Sequence, residues 1–176
     1  MRKTRNEELG RLSVEEFRRA GKTPVVIVLD NVRSLHNVGS VFRTADAFRL
    51  EAVYLCGITG QPPNNEIRKT ALGATESVVW KYFPSTIHAV QELQDLSYKV
   101  YAVEQAENAI LLNRFEPTQG GKVALIFGNE VKGVDQAVID ASDGVIEIPQ
   151  LGTKHSLNIA VSVGVVVWDV WRKFAL

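Results

Sequence analysis

The sequence predicts an α/β fold in which a mostly parallel sheet is flanked by helices. Three observations predict it. Short runs rich in β-branched residues alternate with helical patterns along the chain. Those runs are continuously apolar, as strands covered on both faces are. Several of them end in polar, glycine-containing segments, which is where open α/β sheets bind ligands.

The elements follow in order. Residues 1–23 form a basic N-terminal segment with seven Lys/Arg against four Glu. Within it, Ser13 and Glu16 have capping-box spacing, which predicts a short helix over 14–20, ended by Gly21 and Pro24. Residues 24–176 form the main domain. VVIVLD (25–30) is its first strand. A helix over 37–49 follows, with Asn37 as its N-cap and Val38, Val41, Phe42, Ala45 and Phe48 as its apolar stripe. Gly39 in its first turn predicts close approach by a ligand or by another backbone. AVYLC (52–56) is the second strand, 65–72 a short helix and SVVWKYF (77–83) the third strand. A helix runs from Ser85 to about Leu96. YKVYAVE (98–104), KVALIFG (122–128) and GVIEIP (144–149) complete six strands, with a loop over 105–121 and a helix over 134–141.

The last helix starts at Ser156, its N-cap. Asn158, Ser162 and Asp169 share one narrow face and the rest is apolar. Such a helix needs burial nearly all round, either by filling the core of its own chain or, the reading favoured for so small a domain, in part against a second copy of the chain. The small residues Ala160 and Gly164, four apart, suit such an approach.

Composition narrows the function. The 176 residues, 45% hydrophobic and 23% charged, suit one soluble globular domain. Twenty Lys/Arg balance twenty Asp/Glu, so nucleic-acid binding must rest on local patches. Cys56 is the sole cysteine, which excludes an internal disulfide and suits a reducing, cytoplasmic setting. The N-terminus has no apolar signal region, and the longest apolar stretch, 160–168, is far below the ~20 residues of a membrane span. His36, His88 and His155 are scattered without ligand spacing, so no metal is expected.

Three polar islands at strand ends carry the chemistry. The first, after residue 30, places Asn37, Gly39 and Arg43 on one helix, with Arg43 almost opposite the apolar stripe; a solvated helix arginine is the plainer reading of Arg43 alone. The second, LIFGNEVKGV (125–134), lacks both the GxGxxG and the GxxxxGK[ST] spacing, so it is either bare backbone for a flat ligand or a tight strand-to-helix turn. Glu130 in it is a first-turn helix carboxylate or an anchor for a nearby cation. The third, IPQLGTKHSLN (148–158), has local basic character, and no GxSxG elbow surrounds Ser156.

Together the islands resemble the SpoU/TrmH branch of the SPOUT superfamily of RNA methyltransferases, over roughly 24–174. The first family pattern, N-x-G-x-x-x-R, matches Asn37, Gly39 and Arg43. The second, G-N-E-x-x-G, matches Gly128, Asn129, Glu130 and Gly133. The third, I-P followed by S-L-N, matches Ile148, Pro149, Ser156, Leu157 and Asn158. The resemblance implies a C-terminal trefoil knot, a homodimer, S-adenosyl-L-methionine as cofactor, and methylation of a ribose 2′-OH in tRNA or rRNA. It implies Arg43, Asn37, Glu130, Ser156 and Asn158 as catalytic residues, and Val103, Gly128, Asn129, Ile148 and Leu157 as cofactor-binding ones. Gln150 stands where many relatives have methionine. With AVEQAEN (102–108), this is more similar to the subset acting on the tRNA D-loop ribose.

Arginine is almost never an unprotonated base. Arg43 is therefore expected to grip a phosphate bidentately and to stabilise charge on the 2′-oxygen. Asn37 orients it or the ribose, and Glu130 fixes Arg43, within the chain or across a dimer. The other readings are a knotted base methyltransferase and a catalytically silent RNA-binding module. A nucleotide-binding oxidoreductase is disfavoured by the missing phosphate-binding glycines.

Overall fold

The computed structural model describes residues 1–175. The strands are β1 (Thr23–Asp30), β2 (Leu50–Cys56), β3 (Trp80–Phe83), β4 (Tyr98–Val103), β5 (Ile110–Leu111), β6 (Lys122–Phe127) and β7 (Gly144–Glu147). They form one sheet in the order β3-β2-β1-β6-β4-β7-β5, and every pairing is parallel. The helices are α1 (Val14–Arg19), α2 (Leu35–Ala47), α3 (Asn65–Ala71), α4 (Ala74–Ser77), α5 (Thr86–Asp95), α6 (Gln136–Ala141) and α7 (Ile159–Ala175).

The continuous apolar strands have the expected cause. On β1, Val25, Ile27 and Leu29 enter one core with α2, α3 and α7, while Val26 and Val28 enter a second with α5 and α6. Successive side chains point to opposite faces, and both faces are covered. The carboxyl ends of β1, β6, β4 and β7 therefore face one way, and the segments leaving them converge.

Local chemistry sets the element ends. The α1 capping box forms as expected: Glu16 N–H donates to Ser13 Oγ (3.2 Å) and Ser13 N–H to Glu16 Oε2 (2.8 Å). Phe17 is buried, and Arg18 donates to the Glu76 carbonyl at 2.6 Å, so this end of the N-terminal segment packs on the domain. Gly39 answers the approach of a backbone. A Cβ there would lie 2.3 Å from the Ile67 carbonyl oxygen and 2.1 Å from Thr70 Oγ1, so α3 crosses α2 at that point.

Several expectations are corrected. The N-cap of α2 is Ser34, whose hydroxyl accepts the Asn37 N–H at 3.2 Å; Asn37 is the third helical residue, and its amide is used elsewhere. The cap of α7 is Asn158, whose Oδ1 accepts the N–H groups of Ala160 (2.9 Å) and Val161 (3.4 Å), so Ser156 lies in the preceding loop. The third strand is only Trp80–Phe83, because residues 74–77 coil into α4 and the strand is a half-exposed edge. The 105–121 segment holds a seventh strand, β5, which pairs with the open side of β7. Two residues carry no readable period. Finally, α7 buries Ile159, Val163, Val166, Val167 and Val170 but leaves Val161, Val165 and Trp168 41–53% exposed, so one chain covers only part of it.

Candidate functional site

A cleft of about 730 Å³ opens where the segments after β4, β6 and β7 meet. All five residues expected to bind a cofactor line it: Val103, Gly128, Asn129, Ile148 and Leu157. Glu130, Ser156 and Asn158 line it too.

Its central wall is the turn after β6. Asn129 and Gly133 exchange both backbone hydrogen bonds, at 3.0 and 2.8 Å. A Cβ at Gly128 would lie 2.1–2.4 Å from the Gly133 and Val134 backbone, so this glycine is required by the turn itself. Gly133 has φ +71°, the left-handed region that favours glycine. The Asn129 side chain holds the turn: Nδ2 donates to the Asn31 carbonyl (2.8 Å), and Oδ1 accepts the N–H groups of Val131 and Lys132 (2.9 and 3.1 Å). Asn129 therefore shapes the wall through its side chain and through the backbone N–H and carbonyl that it pairs with Gly133.

One chain of hydrogen bonds ties the three islands together. Glu130 accepts the N–H groups of Arg33 and Ser34, both at 3.0 Å, just before α2. Asn37 Nδ2 donates to Glu130 Oε1 at 3.2 Å, and Asn158 Nδ2 donates to Asn37 Oδ1 at 3.3 Å. Partial burial pushes the Glu130 carboxyl up, but the N–H groups of Arg33 and Ser34 and the Asn37 amide outweigh it and hold the carboxyl below its ordinary range. The carboxylate stays ionised against the positive end of α2.

Arg43 does not join this cleft in the same chain. It lines a separate recess of about 500 Å³ with Ser40, Thr44, Phe48, Lys69, Thr70 and Gly164 of α7. Nor does Glu130 fix it within the chain. Arg43 lies eight residues beyond the start of α2, about 12 Å along the axis, and Glu130 instead satisfies donors at that start.

Three residues outside the family patterns line the walls or hold them in place. Asp30, at the end of β1, is buried and accepts from Thr86 Oγ1 (2.5 Å), Asn31 Nδ2 (2.9 Å) and the Asp135 N–H (3.1 Å). It pins the far end of the 128–135 segment to the sheet. Glu104 and Gln105, at the end of β4, line the cleft and bond to both neighbouring loops. Their signal in the sequence was position: polar residues closing a buried strand.

Comparison with known proteins agrees with this geometry. The model of the SpoU rRNA Methylase family matches residues 24–168. A tRNA (guanosine(18)-2′-O)-methyltransferase from Thermus thermophilus is 29% identical over 166 residues, 94% of this chain and 84% of that protein. A 23S rRNA (guanosine-2′-O-)-methyltransferase RlmB from Haemophilus ducreyi is 28% identical over 167 residues, 95% of this chain and 67% of that one. Among solved structures, the TrmH/SpoU tRNA modifying enzyme of A. aeolicus has a TM-score of 0.80 at 21% identity, covering 91% of this chain and 81% of that one. With the family model covering most of the chain, its second and third motif regions lining one cleft and Asn37 of the first bonded to both, the chain belongs to the SpoU rRNA methylase family.

Proposed function

We propose that this protein is an S-adenosyl-L-methionine-dependent RNA methyltransferase that modifies a ribose 2′-OH of tRNA or rRNA. The favoured acceptor is a tRNA D-loop ribose, and the working form is a cytoplasmic homodimer. The carrying observation is the bond chain Glu130–Asn37–Asn158, which runs from the cleft to α2, the helix that bears Arg43. The identity and substrates of the Thermus relative support the tRNA reading.

The cleft fits the cofactor's chemistry. Val103, Ile148 and Leu157 offer an apolar surface for a flat base, and the 128–134 turn offers backbone polar groups. When bound, the cofactor supplies a methyl group activated on a sulfonium. The chain must then hold the acceptor oxygen in line and neutralise charge developing there. Arg43 does this by gripping the adjacent RNA phosphate with both arms of its guanidinium. Asn158 and Ser156 shape the acceptor side. Asn37 and Glu130 act as positioning residues, since their polar atoms already hold the start of α2 against the 128–134 and 148–158 segments.

Because Arg43 lies outside the cleft of its own chain, it serves the cleft of the second subunit. Gly164 borders its recess, and the exposed Val161, Val165 and Trp168 lie on the same helix. In this reading the 148–158 segment is the part threaded into the knot. The basic residues Arg33, Lys132 and Lys154 guide the RNA, so affinity for RNA falls steeply with salt.

The decisive experiment is transfer of labelled methyl from S-adenosyl-L-methionine to a tRNA transcript, with and without a single 2′-deoxy substitution at the modified nucleotide. Transfer to the ribose form only is expected. Transfer to both forms shows a base methyltransferase, and transfer to neither shows a silent RNA-binding module.

A further inference from the structure

Three segments form the cleft, and past the end of β4 a backbone bond from the Glu104 N–H to the Ile146 carbonyl of β7 (3.1 Å) still ties the first of them to the sheet. The segments are 104–109 after β4, 128–135 after β6 and 148–158 after β7. The two residues closing β4 reach the other two segments. Glu104 Oε2 accepts the Val134 N–H at 3.0 Å, and Oε1 accepts the Gln105 N–H at 2.8 Å. The Gln105 amide donates through Nε2 to the His155 carbonyl at 2.7 Å. Gly133 is matched to this contact: a Cβ there would lie 2.1 Å from Glu104 Oε2, so the carboxylate closes directly over a bare backbone.

We propose that Glu104 and Gln105 form a two-armed clasp that pre-shapes the cofactor cleft, with Glu104 holding the 128–135 wall and Gln105 the 148–158 wall. Both are positioning residues, and the inference rests on the cofactor reading above. Each arm requires its own polarity. A carboxylate is acceptor-only and meets two backbone donors, while the Gln105 amide meets a carbonyl and must present its N–H. Without the clasp the loops sample open forms, and closing them is an ordering cost added to ligand binding. The clasp therefore sets affinity for the cofactor. Once the cofactor is saturating, the loops are already closed, so turnover is spared.

The test is calorimetric titration of the full chain with S-adenosyl-L-methionine, alongside steady-state kinetics and melting curves. Gln105 is exposed, so its variants keep the fold. Gln105→Glu keeps the size but turns an acceptor toward the His155 carbonyl. It and Gln105→Ala raise the dissociation constant about tenfold, the size expected for losing a good hydrogen bond that closes a loop. Gln105→Lys restores a donor and stays within about threefold of wild type. Glu104→Gln forces an amide N–H against a backbone N–H and weakens binding as Gln105→Glu does. In the weakened variants KM for the cofactor rises, while in every variant kcat at saturation and KM for RNA hold within about twofold.

Unchanged cofactor affinity in Gln105→Glu overturns the clasp. So does a Gln105→Lys variant as weak as Gln105→Ala, or a fall in melting temperature with the dissociation constant unmoved. If wild-type protein itself binds no S-adenosyl-L-methionine, the functional reading falls first. Binding by wild type with equal binding by the variants removes the clasp alone.

Discussion

Asn37 shows how much one amide can decide. Its Nδ2 faces the Glu130 carboxylate and its Oδ1 receives Asn158 Nδ2, so both ends are committed. Asn37→Asp sets a second carboxylate against Glu130 while changing almost no volume, and like charges at this range repel. Methyl transfer should fall by about tenfold or more, one charge-assisted contact having become repulsive. Circular dichroism should show an unchanged fold. Arg43 predicts a different pattern. It touches no part of the cleft in its own chain, so Arg43→Ala should lose turnover about a hundredfold, the scale of removing one oxyanion-stabilising donor. Calorimetric affinity for S-adenosyl-L-methionine should stay near wild type. Arg43→Lys should fare little better, because lysine lacks the two-armed fork, and near-wild-type turnover in it would count against the phosphate grip. These residues were legible as letters at fixed spacing. Their partners were not, since a bond between residues 37 and 158 leaves no local trace in a chain read linearly.

Among the elements, the central strands were the most legible, because burial on both faces writes a continuous apolar run. Helix starts were misread where two capping residues competed. Ser34 and Asn37 both suit an N-cap, as do Ser156 and Asn158, and tertiary partners decided between them. Gly39 lies between these levels. Its cost inside a helix was visible, but the α3 backbone that requires it was not. Alanine at this position should gain about 1 kcal/mol in helix propensity. Its Cβ would nevertheless meet the Ile67 carbonyl oxygen at 2.3 Å, a backbone atom that cannot swing aside. Overpacking of this kind costs about 1–3 kcal/mol, so the net effect should be destabilising. Urea denaturation of Gly39→Ala should therefore give a lower midpoint with an unchanged slope. A higher midpoint would show that α2 and α3 separate freely.

At the scale of the whole molecule, one feature of the sequence pointed beyond the single chain. The last helix is too apolar for the core that one chain offers it, and Val161, Val165 and Trp168 remain open beside the recess that holds Arg43. A homodimer formed on α7 would cover that stripe and bring each Arg43 to the other subunit's cleft, and it can be tested by complementation. Leu157 lines the cleft and is 40% exposed, so Leu157→Arg should block the cofactor without disturbing the core. Arg43→Ala leaves the cleft open but removes the grip. Each variant alone should be inactive. Mixed in equal amounts and re-equilibrated, half of the dimers carry one chain of each kind. If the arginine acts across the interface, each mixed dimer has one site with an open cleft and an intact arginine from its neighbour. Total methyl transfer should then recover to about a quarter of wild type. If Arg43 serves its own chain, no site in any dimer has both parts, and the mixture stays as inactive as its components. Trp168→Glu supplies the control: placing a charge in the apolar stripe should give monomers by sedimentation and abolish complementation, while cofactor affinity in the isolated cleft persists.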